Sequence, residues 1–314
     1  MPLRIVLAIM GTMAFQGSIK WWVIRHRLHH RYTDTDSDPY SAEKGLFHSH
    51  MGWIFVKPHY PKLKLIDKSD LNADIIVRLQ HKFFLPMSLL YGFVLPAIIG
   101  KLWFNDAWMG LLWGGMVARI AIWHCTFLIN SLAHYIGDQF YSTDVSARGN
   151  FILAMLTNGE GFHNYHHAFP CDYRNGIKAL DWDPTKWIVY LLHQYTALVP
   201  SIRKISARDI DRARARVALS HSPLAGYART TDMNVDLPRM TLAEAKKQFM
   251  DKPVVVIEGY VVEVGAYAEE HPGGEGLLRA HYGAGDATKA FLKLNNHTAH
   301  ARGLVEDFRI AEIV

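Results

Sequence analysis

Only two cysteines, Cys125 and Cys171, occur among the 314 residues, one in an apolar run and one beside a histidine cluster. That number and spacing exclude a disulfide framework and a zinc ribbon, and place the working face in a reducing, cytosolic compartment. No secretory leader is expected either. The opening "MPLRIVLAIMGTMAF" is apolar but has no small-residue cleavage site and runs straight into Trp21 and Trp22. Charge is nearly missing from two long runs. "FFLPMSLLYGFVLPAIIGKLWF", residues 83–104, has Lys101 as its one ionic residue, near an end where it can snorkel, and is long enough to span a bilayer. "WMGLLWGGMVARIAIWHCTFLIN", residues 108–130, carries Arg119 and His124; an arginine at such depth faces protein or water and has a specific job. The short "NDA" between the runs predicts a hairpin with almost nothing on its far side.

What is plentiful is hydrophobic and histidine residues, 50% of the chain and 18 in number. Charge is divided unevenly. Residues 236–314 contain twelve acidic and nine basic residues, so the whole-chain net of +5 leaves +8 for residues 1–235. This pattern predicts a membrane domain over 1–205, a basic helix and linker over 206–235, and a small soluble α+β domain over 236–314. Lys57, Lys62, Lys64, Lys68, Arg78 and Lys82 precede the hairpin and assign that side to the cytosol. Two crossings return the chain to the same side. "WIVYLLHQYTALVP", residues 187–200, is too short for a comfortable span and reads as an interfacial or core helix. The Arg-rich "RKISARDIDRARARVALS" reads as a helix on the membrane surface, and "HSPLAGYARTTDMN" as the linker. In the rear part, Thr241 and Glu244 predict a capped helix, and "PVVVIEGYVVEV" reads as strand.

Six histidines fall into two copies of one pattern, HxxHH, in "HRLHHRYTDTDSDPY" from residue 26 and "GEGFHNYHHAFP" from residue 159. On a helix, positions i, i+3 and i+4 share a face, so His26, His29 and His30 project together, as do His163, His166 and His167. One such triplet is also what a solvated polar helix face looks like. Two copies on one side of the membrane point to ligands, and neutral imidazole suits iron, zinc or copper. "NSLAH" adds Asn130 and His134 at i, i+4. His134 is a further candidate ligand, and Asn130 is suited to orienting a metal-bound water.

These runs, with "TMAFQGSIKWW", "FHSHMGW" and "NGEGFHNYHHAFPCDYR", resemble the membrane acyl-CoA Δ9 (stearoyl-CoA) desaturases, and the wording around residue 26 is similar to the fungal type. The resemblance covers roughly residues 1–205. It implies a mainly α, integral-membrane histidine-box domain with two non-haem iron ions and nine histidine ligands, seven of which have counterparts here. His26, His30 and His166 would serve one iron, and His29, His134, His163 and His167 the other, with Asn130 reaching the second through water. It also implies that Gln16, Trp22 and Thr126 surround the kink of an acyl tunnel, although Gln16 and Trp22 also suit membrane-interface anchoring. The family's first histidine box, HxxxxH, has no counterpart before residue 26, and the chain opens inside what should be the second spanning helix. An N-terminally truncated sequence is therefore expected.

In the rear domain, His271 sits in "EEHPGGEGLL" at a turn made by Pro272, Gly273 and Gly274, and "NNHTAHA" brings His297 and His300. Two histidines walled by Leu277, Leu278, Phe291 and Leu292 suit clamping a haem iron from both sides. The arrangement resembles cytochrome b5, which implies haem b with His271 and His297 as axial ligands. Both axial positions filled leaves a haem that passes electrons. The acidic Glu269, Glu270 and Glu275 are expected to dock on the basic front domain.

The function implied is O2-dependent desaturation of stearoyl- or palmitoyl-CoA at the Δ9 position, giving a cis-monounsaturated acyl-CoA. The fused cytochrome b5 domain would deliver electrons from NADH-cytochrome b5 reductase. The location implied is the endoplasmic reticulum membrane, multi-pass, with the histidines and b5 domain facing the cytosol and no nucleic-acid partner. The alternatives are an acyl hydroxylase on the same scaffold and an inactive fragment that retains haem electron transfer.

Overall fold

The computed structural model describes residues 2–57, 59–220, 237–271, 274–294, 297 and 299–314. The linker "HSPLAGYARTTDMN" and the turn residues Pro272 and Gly273 lie outside the described residues.

The chain begins with helix α1 (Pro2–Met13) and helix α2 (Ile19–Tyr32), separated by a break. Phe15 and Gly17 have positive φ, 56° and 93°, in that break, and a methyl on Gly17 would sit 2.5 Å from the Trp21 ring. Ser18 caps α2 by accepting from the Trp21 N–H at 3.2 Å. Helix α3 (Ile75–Lys82) braces the break: Gln80 accepts from the Ile19 N–H at 3.0 Å and donates to Thr12 Oγ1 at 2.9 Å.

Two helices follow that are long and apolar enough to cross a membrane, α4 (Phe84–Phe104) and α5 (Ala107–His134). Each contains a π-helical stretch, Leu90–Val94 and Gly110–Val117. Their arms close on each other through glycine, since a methyl on Gly100 would lie 2.6 Å from the Gly110 Cα. At the tip, Leu102, Trp103 and Phe104 are 74%, 76% and 76% exposed. Apolar surface left so bare calls for lipid or another protein to cover it. Arg119 is buried inside α5, and its job is structural: it donates to the carbonyls of Met13, at the end of α1, and Gly114. A guanidinium suits the carbonyl end of a helix.

Beyond the hairpin come the short helix α6 (His163–Ala168), helix α7 (Pro184–Tyr195) and helix α8 (Ala207–Ser220). The last differs from the membrane-surface helix expected. Ile210 and Ala213 are buried against Tyr165 and Phe169, while Arg212 pairs with Asp307 of the rear domain at 2.7 Å. The Arg-rich composition hid a narrow apolar stripe, and α8 bridges the two domains.

The rear domain is built on a five-stranded sheet of order β1-β5-β3-β2-β4, with β1 (Arg239–Met240), β2 (Val254–Ile257), β3 (Tyr260–Glu263), β4 (Gly285–Asp286) and β5 (Arg309–Ile313). Strands β2 and β3 form the antiparallel hairpin, Val255 opposite Val262, and the turn between them uses Gly259 at φ 81°. The valines of β2 are buried on both faces. Val254 and Val256 pack against the capped helix Leu242–Gln248, and Val255 and Ile257 face Phe291 and Phe308.

Candidate metal centres

The α-helical part of α5 ends at Asn130, and a tight 3-10 turn, Leu132–His134, swings His134 inward, where it is buried. Helix α2 presents His26, His29 and His30 from one face, and α6 presents His163, His166 and His167. The structure brings all seven together. The ligand atoms of His29, His134, His163 and His167 lie within 4.8 Å of one another, and so do those of His26, His30 and His166.

In the first group the Nε2 atoms run in sequence: His29 to His167 at 3.2 Å, His167 to His163 at 3.0 Å, and His163 to His134 at 3.1 Å. In the second, His30 Nε2 lies 3.1 Å from His26 Nε2 and 3.0 Å from His166 Nε2. Metal–imidazole bonds of about 2.1 Å put neighbouring ligand nitrogens about 3 Å apart, so these spacings fit imidazoles gathered around ions.

The protonation pattern supports the same reading. His29 Nδ1 faces Asp38 Oδ1 at 2.9 Å, so Nδ1 carries the proton and Nε2 the lone pair. His134 Nδ1 lies 2.7 Å from Ser146 Oγ. That hydroxyl spends its proton on Asp34 Oδ1 at 2.6 Å, so it accepts from His134. His163 Nδ1 is buried with no hydrogen-bond partner. Trp22 stacks on His26 at 4.5 Å. Burial, reinforced by neighbouring imidazoles, holds His26, His30, His163 and His167 well below the ordinary histidine range and His166 at about 4. Neutral rings are the form that ligates metal.

Sequence reasoning missed Asp34, Asp38 and Ser146. The first two stand in the quoted "YTDTDSDPY", and a carboxylate behind a ligand histidine is a recurrent pattern. Gln16 and Thr126, both expected near a tunnel kink, meet directly: Gln16 Nε2 donates to Thr126 Oγ1 at 2.8 Å.

In the rear domain His271 and His297 face one another with ring centres 6.2 Å apart. An iron midway, with bonds of about 2 Å and ring centres about 1 Å behind each nitrogen, needs about 6 Å. His271 Nδ1 donates to the Gly274 carbonyl at 3.1 Å and His297 Nδ1 to the Phe291 carbonyl at 2.9 Å, which frees both Nε2 lone pairs. Burial lowers His271 and takes His297 to about 4. A cavity of about 620 Å³ holds both rings, with Val262, Leu278, Phe291 and Phe308 among its walls. Leu292, expected as a wall, is 46% exposed. The side chains of Glu269, Glu270 and His300 lie outside the described residues, and Glu275 pairs with Arg279 of its own helix at 2.8 Å.

A family profile described as "Fatty acid desaturase" matches residues 2–182. The chain belongs to the fatty acid desaturase family. A second profile, "Cytochrome b5-like Heme/Steroid binding domain", matches residues 241–314, so a helical desaturase domain precedes a sheet-containing cytochrome b5-like domain. Over 319 residues the chain is 41% identical to "Acyl-CoA desaturase 1" of Saccharomyces cerevisiae, covering 99% of this chain and 61% of that protein. It is 38% identical over 316 residues to "Probable acyl-CoA desaturase" of Schizosaccharomyces pombe, 99% of this chain and 65% of that one. With "Stearoyl-CoA desaturase 5" of Homo sapiens it shares 39% over 193 residues, 60% of this chain and 58% of the relative. The chain thus spans less than two thirds of the length of these relatives. The desaturase family implies iron, and the b5 domain implies haem.

Proposed function

We propose that this desaturase introduces a cis double bond at the Δ9 position of stearoyl- or palmitoyl-CoA, using dioxygen. The observation that carries the reading is the convergence of seven imidazole nitrogens from three distant segments into two adjacent groups. His29, His134, His163 and His167 would hold one iron, with Asn130 reaching it through water, and His26, His30 and His166 the other. When bound, the iron pair supplies dioxygen activation and hydrogen removal from unactivated methylenes, which no side chain can do. His271 and His297 would hold haem b, which would supply single electrons drawn from NADH-cytochrome b5 reductase.

The rest is positioning. Asp38 and Ser146 fix the rings of His29 and His134. The Gln16–Thr126 hydrogen bond, with Trp22, would shape the bend that sets one C–C bond beside the metals. Lys57 and Lys64 are suited to the CoA phosphates, and Lys62, 4.2 Å above the Tyr32 ring, lies on the same segment. An endoplasmic reticulum location belongs to the same reading and comes from the resemblance, and the basic residues before the hairpin support placing both centres on the cytosolic side.

The test is product analysis of the full-length protein supplied with stearoyl-CoA, dioxygen, NADH and reductase. A cis-Δ9 product is expected. An oxygenated chain would overturn desaturation in favour of hydroxylation, and haem reduction without any lipid product would leave an electron carrier.

A further inference from the structure

Helix α8 has two faces, and helical periodicity sets them opposite each other. Ile210 and Ala213 lie on one and are buried against Tyr165 and Phe169, so that face rests on α6, the helix of His163, His166 and His167. Arg212 and Arg216, one turn apart, lie on the other. The last helix of the rear domain, Ala299–Asp307, is divided in the same way. Its Ala301, Leu304 and Val305 line the cavity that holds His271 and His297. Gly303 and Asp307, again one turn apart, lie on the far side.

These two outer faces meet rung for rung. Arg212 Nη1 donates to Asp307 Oδ2 at 2.7 Å. The Arg216 guanidinium lies against the buried Gly303, where a methyl would collide with its Cζ and both Nη atoms. A glycine inside a helix is less favourable than alanine, and here the close approach of a second helix accounts for it. The ion pair is partly exposed and would by itself shift an equilibrium about fivefold at most, so the bare backbone at 303 matters as much. The domains touch again where a methyl on Gly274 would come within 2.8 Å of Asp67 Oδ2. Held between these contacts, the cavity of His271 and His297 has His30 of α2 and His167 of α6 on its opposite wall.

We propose that the outer face of α8 is the docking surface for this chain's own cytochrome b5-like domain, and that Gly303 and Asp307 are positioning residues that seat it with the His271–His297 cavity against α2 and α6. The inference rests on the iron and haem reading above. With the domain so seated, ferrous haem would be oxidised to ferric and its one electron would reduce the ferric pair of the same chain.

The test uses the full-length protein and two readouts: hydrogen–deuterium exchange in residues 207–220 and 299–307, and stopped-flow reoxidation of ferrous haem at the Soret band with stearoyl-CoA and dioxygen present. Asp307→Arg sets like charges face to face; it is expected to raise exchange in both helices and slow reoxidation about tenfold, with the haem midpoint potential unchanged. Gly303→Leu is expected to do the same by collision. Arg212→Asp combined with Asp307→Arg restores the pair with its signs exchanged and should recover most of both readouts, which a merely structural role for either residue would not give. The wild-type reoxidation rate should be independent of protein concentration. Wild-type exchange and rates in Asp307→Arg and Gly303→Leu would overturn the proposal, as would a double variant no better than Asp307→Arg. A rate proportional to protein concentration would also overturn it, assigning the seat to the domain of a second copy. If Gly303→Leu fails to fold, the charge exchange decides on the same terms. Absence of any Soret band would instead sink the haem reading, and the exchange readout would still judge the docking face.

Discussion

The Nε2 atoms of His29 and His167, 138 positions apart in the chain, face one another at 3.2 Å. With the His29 proton committed to Asp38, that nitrogen offers only a lone pair, and the same holds for His134 beside Ser146. Two such lone pairs, with the Nε2 atoms of His163 and His167 packed 3.0–3.2 Å from them and from each other, make a buried pocket suited to a cation. The buried carboxylate therefore belongs to the candidate metal site even though it would be no ligand.

Replacing that carboxylate tests this directly. Asp38 also accepts from the Asp34 and Tyr40 N–H groups, each at 3.0 Å. Asp38→Asn keeps the side chain's shape but loses one acceptor and the charge. Iron affinity, measured by equilibrium dialysis, should fall 10–100-fold, in the range typical of residues behind metal ligands, roughly. The circular dichroism spectrum should stay unchanged.

A second buried carboxylate holds α6 in place. Asp172 accepts from Tyr165 Oη at 2.7 Å, from Arg174 Nε and Nη2 at 2.9 and 2.7 Å, and from the Ile205 N–H at 2.8 Å. Burial alone would raise its pKa, but the Arg174 and Tyr165 hydrogen bonds outweigh that and hold it below the ordinary range. A depressed folded-state pKa gives stability that is fully present above the unfolded value, about 4, and lost as pH falls through the folded one. Asp172→Asn should cost about 3 kcal/mol at neutral pH, because it leaves Arg174 buried without its partner, and should flatten the acid limb of the unfolding profile.

Arg119 tests the membrane part. Its donations to the Met13 and Gly114 carbonyls tie α1 to α5. Arg119→Leu should destabilise the detergent-solubilised protein by about 1–3 kcal/mol, the cost of orphaned buried carbonyls, seen as a lower Tm. Arg119→Lys should recover part of the loss.

Thr126→Val removes the acceptor for Gln16 while nearly preserving volume. Iron and haem content should hold, whereas turnover should drop about tenfold and the Δ9 share among positional isomers should fall, as expected for a misplaced acyl chain. Unchanged product distribution would remove these residues from the tunnel.

Much of this arrangement is legible in the residues. The HxxHH spacing identifies six of the converging histidines, because helical periodicity alone puts them on one face. Low charge over residues 83–104 and 108–130 identifies the hairpin, to within a few residues at each end. Other features depend on contacts between distant segments, which local patterns do not encode. Asp38 looks like one acidic residue among several in a turn until His29 is seen against it. Ile210 and Ala213 are two small apolar positions in an Arg-rich helix, and only the packing of Tyr165 and Phe169 gives them a role. Arg31 belongs by sequence to α2 and by position to the cavity that holds His271 and His297.

The most direct test of the account is the ratio of acid-releasable non-haem iron to haem in the full-length protein. A ratio of two is predicted, falling when His29→Ala and His30→Ala are combined while the haem signal persists. Haem iron alone in the wild-type protein would contradict the account.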